Sequence, residues 1–183
     1  MARPHHPRRA TIRFVRHLNH MFTVRDRITI HAPLDRCFRL STSVAIVEKE
    51  LKMHPVRGKT TGLVNAGDTV RWEGWQLGLP QFHESLISNF VPNTFFQDTM
   101  TAGRFASFQH DHAFLDAGNG SVTLSDELRF SMPFGWPGRL VGRFIMVPHI
   151  RGLLQRRFQL LKRIAEGEEW RSYLPSDPPH LNS

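Results

Sequence analysis

With 183 residues, the chain is long enough for one domain with a substantial core. Its single cysteine, Cys37, excludes an internal disulfide and a cysteine-based zinc site, and no run of about 18 apolar residues offers a membrane-spanning helix. The net charge of +8 sits at the ends: residues 1–27 hold seven Arg against one Asp, residues 139–183 hold eight Lys/Arg against four acids, and the stretch between is slightly acidic.

Residues 1–21 read as a flexible basic arm without the apolar centre of a signal peptide, so a cytoplasmic location is expected. Phe22 to Ala32 alternates as a strand with Val24, Ile28 and Ile30 on one face. Pro33 suits the start of a short helix carrying Leu34, Cys37, Phe38 and Leu40, with Cys37 as inert core. Ser41-Thr-Ser43 then caps a second helix, Val44 to Leu51. Strands are predicted from about Val56 to Val64, Thr69 to Leu77, Phe82 to Phe90 and Thr94 to Met100, separated by Gly-, Asn- and Pro-containing turns. Alternation along Phe82 to Phe90 leaves two registers open, one with Phe82, Leu86 and Phe90 inward and one with His83 and Ile87 inward.

The stretch Arg104 to Phe114 is the most informative strand. Successive side chains alternate, so Phe108, His110, His112 and Phe114 share one face. After the Gly118-Asn-Gly120 turn, Val122, Leu124, Asp126, Leu128, Phe130 and Met132 alternate along the next strand. A hairpin centred on Asn119 sets Asp126 opposite His112. Asp98 has the parity of Phe96 and Met100 and is expected inward in the same patch. Trp72 is expected on the concave face and Trp75 on the other. A Pro- and Gly-rich break, residues 132–138, carries Phe134 and Trp136 and precedes a helical pattern from Arg139 to about Glu166. Phe144, Leu154, Phe158 and Leu161 lie on or near its apolar face, and Arg156 and Arg157 are read as mostly outside it. Pro148 should kink or divide this helix, and residues 169–183 read as a disordered tail.

The order strand, two short helices, antiparallel sheet and long helix predicts an α+β fold. Several pieces carry a family resemblance: Ala32-Pro33 with Phe38, Gly58, Thr61-Gly62, Gly67-Asp-x-Val-x-Trp72 and Pro92-x-x-Phe-Phe-x-Asp98. They continue with Gly103-x-Phe105, His110-x-His-x-Phe114, Asp126, and Pro133 with Gly135 and Gly138. In this order they resemble the START-like, helix-grip superfamily, also called SRPBCC or polyketide cyclase/dehydrase-like, and within it a bacterial branch sometimes described as cell-division-inhibitor-like. The resemblance implies a domain over 22–168. In it a curved antiparallel sheet of six to seven strands wraps a long C-terminal α-helix, with two short helices after the first strand. It further implies a cavity for a small hydrophobic or amphipathic ligand, and no cofactor.

Trp72, Phe108, Phe114, Leu124, Leu128 and Phe144 are the expected apolar contacts, and Asp98, His110, His112 and Asp126 the expected polar ones. Three readings of the polar set stand open: a mutually satisfied structural network, a site that orients a ligand or moves a proton through His112 and Asp126, and a metal site. The resemblance supplies no metal, and none is assigned. Binding of a hydrophobic ligand leads. A cyclase- or dehydratase-type enzyme using the His/Asp pair is the second reading. An interaction module touching anionic lipid or nucleic acid through the basic ends is the third. The motifs of serine hydrolases, P-loop proteins and dinucleotide-binding proteins are missing, and the one tyrosine, Tyr173, lies near the tail.

Overall fold

Alternating apolar residues make the first strand, β1 (Met21–Ile30), and Pro33, with no amide hydrogen to donate, ends the extended run and opens helix α1 (Leu34–Ser41). The computed structural model describes residues 20–174; the expected arm up to residue 19 and the tail from residue 175 lie outside the described residues. Helix α2 (Val44–Leu51) stops at Lys52, which adopts a left-handed conformation with φ 53° and turns the chain directly into β2 (Met53–Gly58). This strand therefore begins before the expected Val56 and ends well before Val64. At Gly58, φ is 79° and an added Cβ would lie 2.1 Å from the Thr69 carbonyl oxygen, so the chain must leave the sheet there.

The remaining strands are β3 (Thr69–Gln76), β4 (Leu79–Val91), β5 (Phe95–Gly103), β6 (Ser107–Gly118) and β7 (Ser121–Ser131). Two of their links are two-residue turns with positive φ at both positions, Leu77-Gly78 and Asn119-Gly120. Such turns suit the natural twist of a hairpin, and they explain why β4 starts earlier than expected. The seven strands form one antiparallel sheet in the order β1-β7-β6-β5-β4-β3-β2. The sheet is not closed, since β1 and β2 remain its edges.

The long C-terminal segment divides where Pro148 predicts, though the break lies just ahead of the proline. Helix α3 (Gly135–Val141) runs into a π-helical turn, Gly142–Met146, and then α4 (Val147–Glu166). The Val147 amide reaches back five residues to the Gly142 carbonyl, and Pro148 falls in the first turn of α4, where a missing donor does no harm. Ile150, Leu154, Arg157, Leu161 and Ile164 are the buried stripe of α4. Arg157 thus belongs to the inner face, contrary to the sequence reading. Helix α4 packs along β1 and beneath α1 and α2, giving a sheet that grips one long helix. A 3-10 turn, Glu169–Ser172, follows, and Leu174 is buried against the core, so packed structure reaches beyond residue 168.

Candidate functional site

Two apolar clusters hold the sheet to the helices, and a polar layer separates them. One cluster gathers Phe38, Phe96, Phe114, Leu124, Phe158 and Leu161 beneath α1 and α2; the other joins Phe22, Val24, Leu128, Phe130, Ile150 and Leu154. Three elements pass from one cluster to the other through charged or polar residues. Strand β6 goes from Phe108 through His110 and His112 to Phe114, β7 from Leu128 through Asp126 to Leu124, and α4 from Leu154 through Arg157 to Phe158.

Sheet register brings the polar groups to one level. His112 faces Asp126 across β6–β7, as the turn at Asn119 predicts, while Asp98 faces His110 across β5–β6. His112 Nδ1 lies 3.0 Å from Asp126 Oδ1, and His110 Nε2 lies 3.2 Å from Asp126 Oδ2. From the helix side, Arg157 Nε stands 3.2 Å from Asp126 Oδ2, and its Nη1 donates to Glu50 Oε2 at 2.8 Å. Its Nη2 also approaches His112 Nδ1, at 3.5 Å. The shorter contact assigns the His112 proton to Nδ1, donated to Asp126. His112, Asp126 and Arg157 are each 3–4% exposed, so this is a buried network.

Burial and close neighbours shift the proton affinities of these groups. Burial pushes the His112 imidazole down to about 3, aided by the nearby His110 and Arg157 and against the pull of Asp126. Burial alone would raise Asp126, but its interactions with His112 and His110 prevail and hold its carboxyl well below the usual range. Glu50 is pushed up by burial, partly offset by Arg157. Asp98 is likewise pushed up by burial, against the attraction of His83 and His110. Burial pushes His83 down.

Donor atoms of His110, His112 and Asp126 lie within 4.8 Å of one another, a set of suitable type for a divalent ion. The Arg157 guanidinium, however, already stands 3.2 Å from the same carboxylate and 3.5 Å from the same imidazole nitrogen. Its fixed charge balances Asp126 and opposes a second cation at that point.

A cavity of about 580 Å³ opens beside this network, between the sheet, α2 and the α3–α4 segment. Of the expected contact residues, Trp72, Asp98, Phe108, His110, His112 and Leu128 line it. Asp126 sits behind the two histidines. Phe114 and Leu124 are packed away from the cavity, since Phe38 of α1 covers that end of the sheet with its ring 5.1 Å from Phe114. Phe144 is 67% exposed, because the extra residue of the π-turn rotates it outward; Ile145 and Met146 line the cavity instead.

Sequence reasoning missed Arg157, Glu50 and Ser85 and left His83 undecided, and all four line the cavity. The signal for Arg157 was its spacing: it falls three residues after Leu154 and four before Leu161, on the apolar stripe. Cys37 is buried, and burial pushes its thiol up to about 11, as suits an inert core residue.

No protein-family model matches the sequence, and no curated protein matches it. Solved structures do match in fold. Norcoclaurine synthase from Thalictrum flavum superposes with a TM-score of 0.61 over 80% of this chain and 94% of its own, at 10% identity. A START superfamily protein from Mycobacterium smegmatis gives 0.57 over 79% and 97%, at 13% identity. A protein of Thermus thermophilus gives 0.58 over 76% and 96%, at 18% identity. At these identities the likeness is one of fold, and the fold is START-like and helix-grip.

Proposed function

We propose that this protein binds a small, mostly hydrophobic molecule in the cavity, with the polar end of that molecule turned toward Asp98, His83 and His110. The observation that carries this reading is an apolar hollow of about 580 Å³ with a few polar groups, Asp98, His83 and His110, in its lining. That volume is typical of sites for small ligands, and a few convergent polar groups in an apolar lining are what orient such a ligand. Trp72, Phe108 and Leu128 supply apolar contact. Asp98, His83 and His110 supply hydrogen-bonding groups at that wall for a carbonyl or hydroxyl oxygen. A synthase of the same fold, from Thalictrum flavum, is known in complex with dopamine and hydroxybenzaldehyde, so the fold accommodates small aromatic molecules.

The contact between His112 and Asp126 favours a second reading, a cyclase- or dehydratase-type catalyst. The magnitudes weigh against it. An imidazole pushed down to about 3 is a weak base at neutral pH and a poor acceptor for a substrate proton. Binding is therefore the conclusion. Native mass spectrometry of the purified protein, followed by denaturing extraction, tests it. A co-purifying lipid, isoprenoid or aromatic compound is expected. An empty protein that also fails to bind an apolar fluorescent probe would overturn the reading.

A further inference from the structure

Nine of the thirteen large hydrophobic side chains standing exposed among the described residues belong to two short segments. Trp75, Leu77 and Leu79 form the β3–β4 hairpin tip; Phe134, Trp136, Leu140, Val141, Phe144 and Ile145 belong to α3, its entry and the π-turn. The four others, Met21, Val56, Val91 and Leu115, are scattered. Leu77 and Leu79 from one side, and Val141 and Ile145 from the other, both line the cavity and face solvent. The two segments are therefore opposite banks of its mouth.

Exposure here is extreme: Phe134 is 85% exposed and Trp136 73%. Phe134 also holds a left-handed backbone with φ 68°, which a bulky side chain rarely adopts. Neither burial nor local conformational preference accounts for this residue. An apolar concentration of this kind marks a contact surface rather than ordinary exterior.

Charge defines the partner. No Asp or Glu occurs between residues 74 and 83, or between 128 and 165. Arg139, Arg143 and Arg151 stand exposed along the helical bank, with the Arg143 guanidinium 5.9 Å from the Phe144 ring. On the other bank, Arg104 donates to the Pro80 carbonyl at 3.0 Å, joining a further cation to the hairpin. The tips thus combine Trp, Phe and Leu with arginine and contain no acid. That composition suits the boundary between acyl chains and anionic headgroups.

We propose that this rim docks on an anionic membrane surface, with Trp75, Leu77, Leu79, Phe134, Trp136 and Phe144 entering the acyl boundary. Arg139 and Arg143 lie among the headgroups, and the cavity opens toward the lipid. Docking stands independently of the cavity's contents; entry of a ligand from the bilayer rests on the ligand-binding reading above.

Flotation of the full chain with vesicles tests the proposal. Binding is expected with phosphatidylcholine vesicles containing phosphatidylglycerol, and much weaker binding with phosphatidylcholine alone. The double variant Trp136→Ser/Phe144→Ser alters only exposed side chains and should keep the wild-type melting temperature while losing at least roughly tenfold in vesicle affinity. Arg139→Gln and Arg143→Gln should each lose roughly fivefold at low salt and weaken the salt dependence. Absence of flotation would overturn the proposal. So would a Trp136→Ser/Phe144→Ser variant that floats like the wild type, which would assign binding to the basic chain ends. A concentration-dependent dimer in analytical ultracentrifugation, abolished by that same variant, would assign the rim to a second copy of the chain and equally overturn it. A chain that floats while binding no apolar probe in solution would support docking and remove only the ligand reading.

Discussion

Arg157 and Asp126 meet 3.2 Å apart at the boundary between the two apolar clusters, tying the middle of α4 to the middle of the sheet. Each is nearly without solvent, so each depends on the other for its charge to be tolerated. Glu50 brings α2 into the same tie at 2.8 Å.

Replacing Arg157 with Met strands the Asp126 carboxylate in the interior, and a loss of about 3–5 kcal/mol is expected from urea unfolding. The triple variant Arg157→Met/Asp126→Asn/Glu50→Gln should recover much of this, because no buried ionisable group of the tie is then left without its partner. A loss below about 1 kcal/mol in the single variant would show that water or repacking relieves the isolated carboxylate.

His112 makes stability fall on the acid side. Its folded value is pushed down to about 3, whereas in the unfolded chain it titrates near 6.5. Between these values the unfolded chain binds more protons, so stability is full above about 6.5 and is lost as pH falls toward 3. Asp126, also depressed, adds to the loss at the lower end, while Glu50 and Asp98, both raised, oppose it. His112→Gln should therefore reduce the slope of unfolding free energy against pH by up to about 1.4 kcal/mol per pH unit within that window. Denaturation series on both proteins at matched pH measure the difference, and equal slopes would contradict the neutral buried imidazole.

Asp98 is expected to exchange stability for recognition. Asp98→Leu removes a half-buried carboxyl in the cavity lining, one of whose oxygens has no partner, and should stabilise the fold by about 1 kcal/mol. The same change should weaken ligands ending in a carbonyl or hydroxyl by roughly tenfold and leave purely hydrocarbon ligands unaffected. Titration with a matched pair of fluorescent probes, one with and one without a terminal oxygen, reads this directly. Equal weakening of both would assign Asp98 a packing role.

Gly142 of the π-turn packs closely against Phe22 of β1. An added Cβ would lie 2.3 Å from Phe22 Cε2 and 3.0 Å from Met132 Cγ. Gly142→Ala should cost about 1–3 kcal/mol through forced repacking, seen as a lowered melting temperature. An unchanged melting temperature would mean that the Phe22 ring moves aside freely.

Local signals made much of the fold legible. The β6–β7 register follows from Asn119-Gly120 and strict alternation, which together set His112 against Asp126. Alternation failed on β4 for a physical reason. The register shift between Ile87 and Asn89 puts an extra residue, Ser88, on β4 and switches which parity faces inward, so His83, Ser85 and Ile87 face the cavity before it and Phe90 packs on Phe38 after it. A bulge leaves no reliable mark in one sequence. The π-turn had the same effect on Phe144, moving it from the inner stripe to the surface. Arg157 and Glu50 escaped notice because each makes sense inside only with its partner, and they lie 107 residues apart.

Strand β1 finds its neighbour at the far end of the domain: Met21 pairs with Ser131 and Ile30 with Val122. During synthesis from the N-terminus, β1 therefore emerges long before β7 exists to receive it. Strands β3 to β7 can zip up as successive hairpins with short loop closures. Among the described strands, the first to be made is thus the last to be paired, and its apolar face with Val24 and Ile30 waits uncovered until β7 and α4 have left the ribosome.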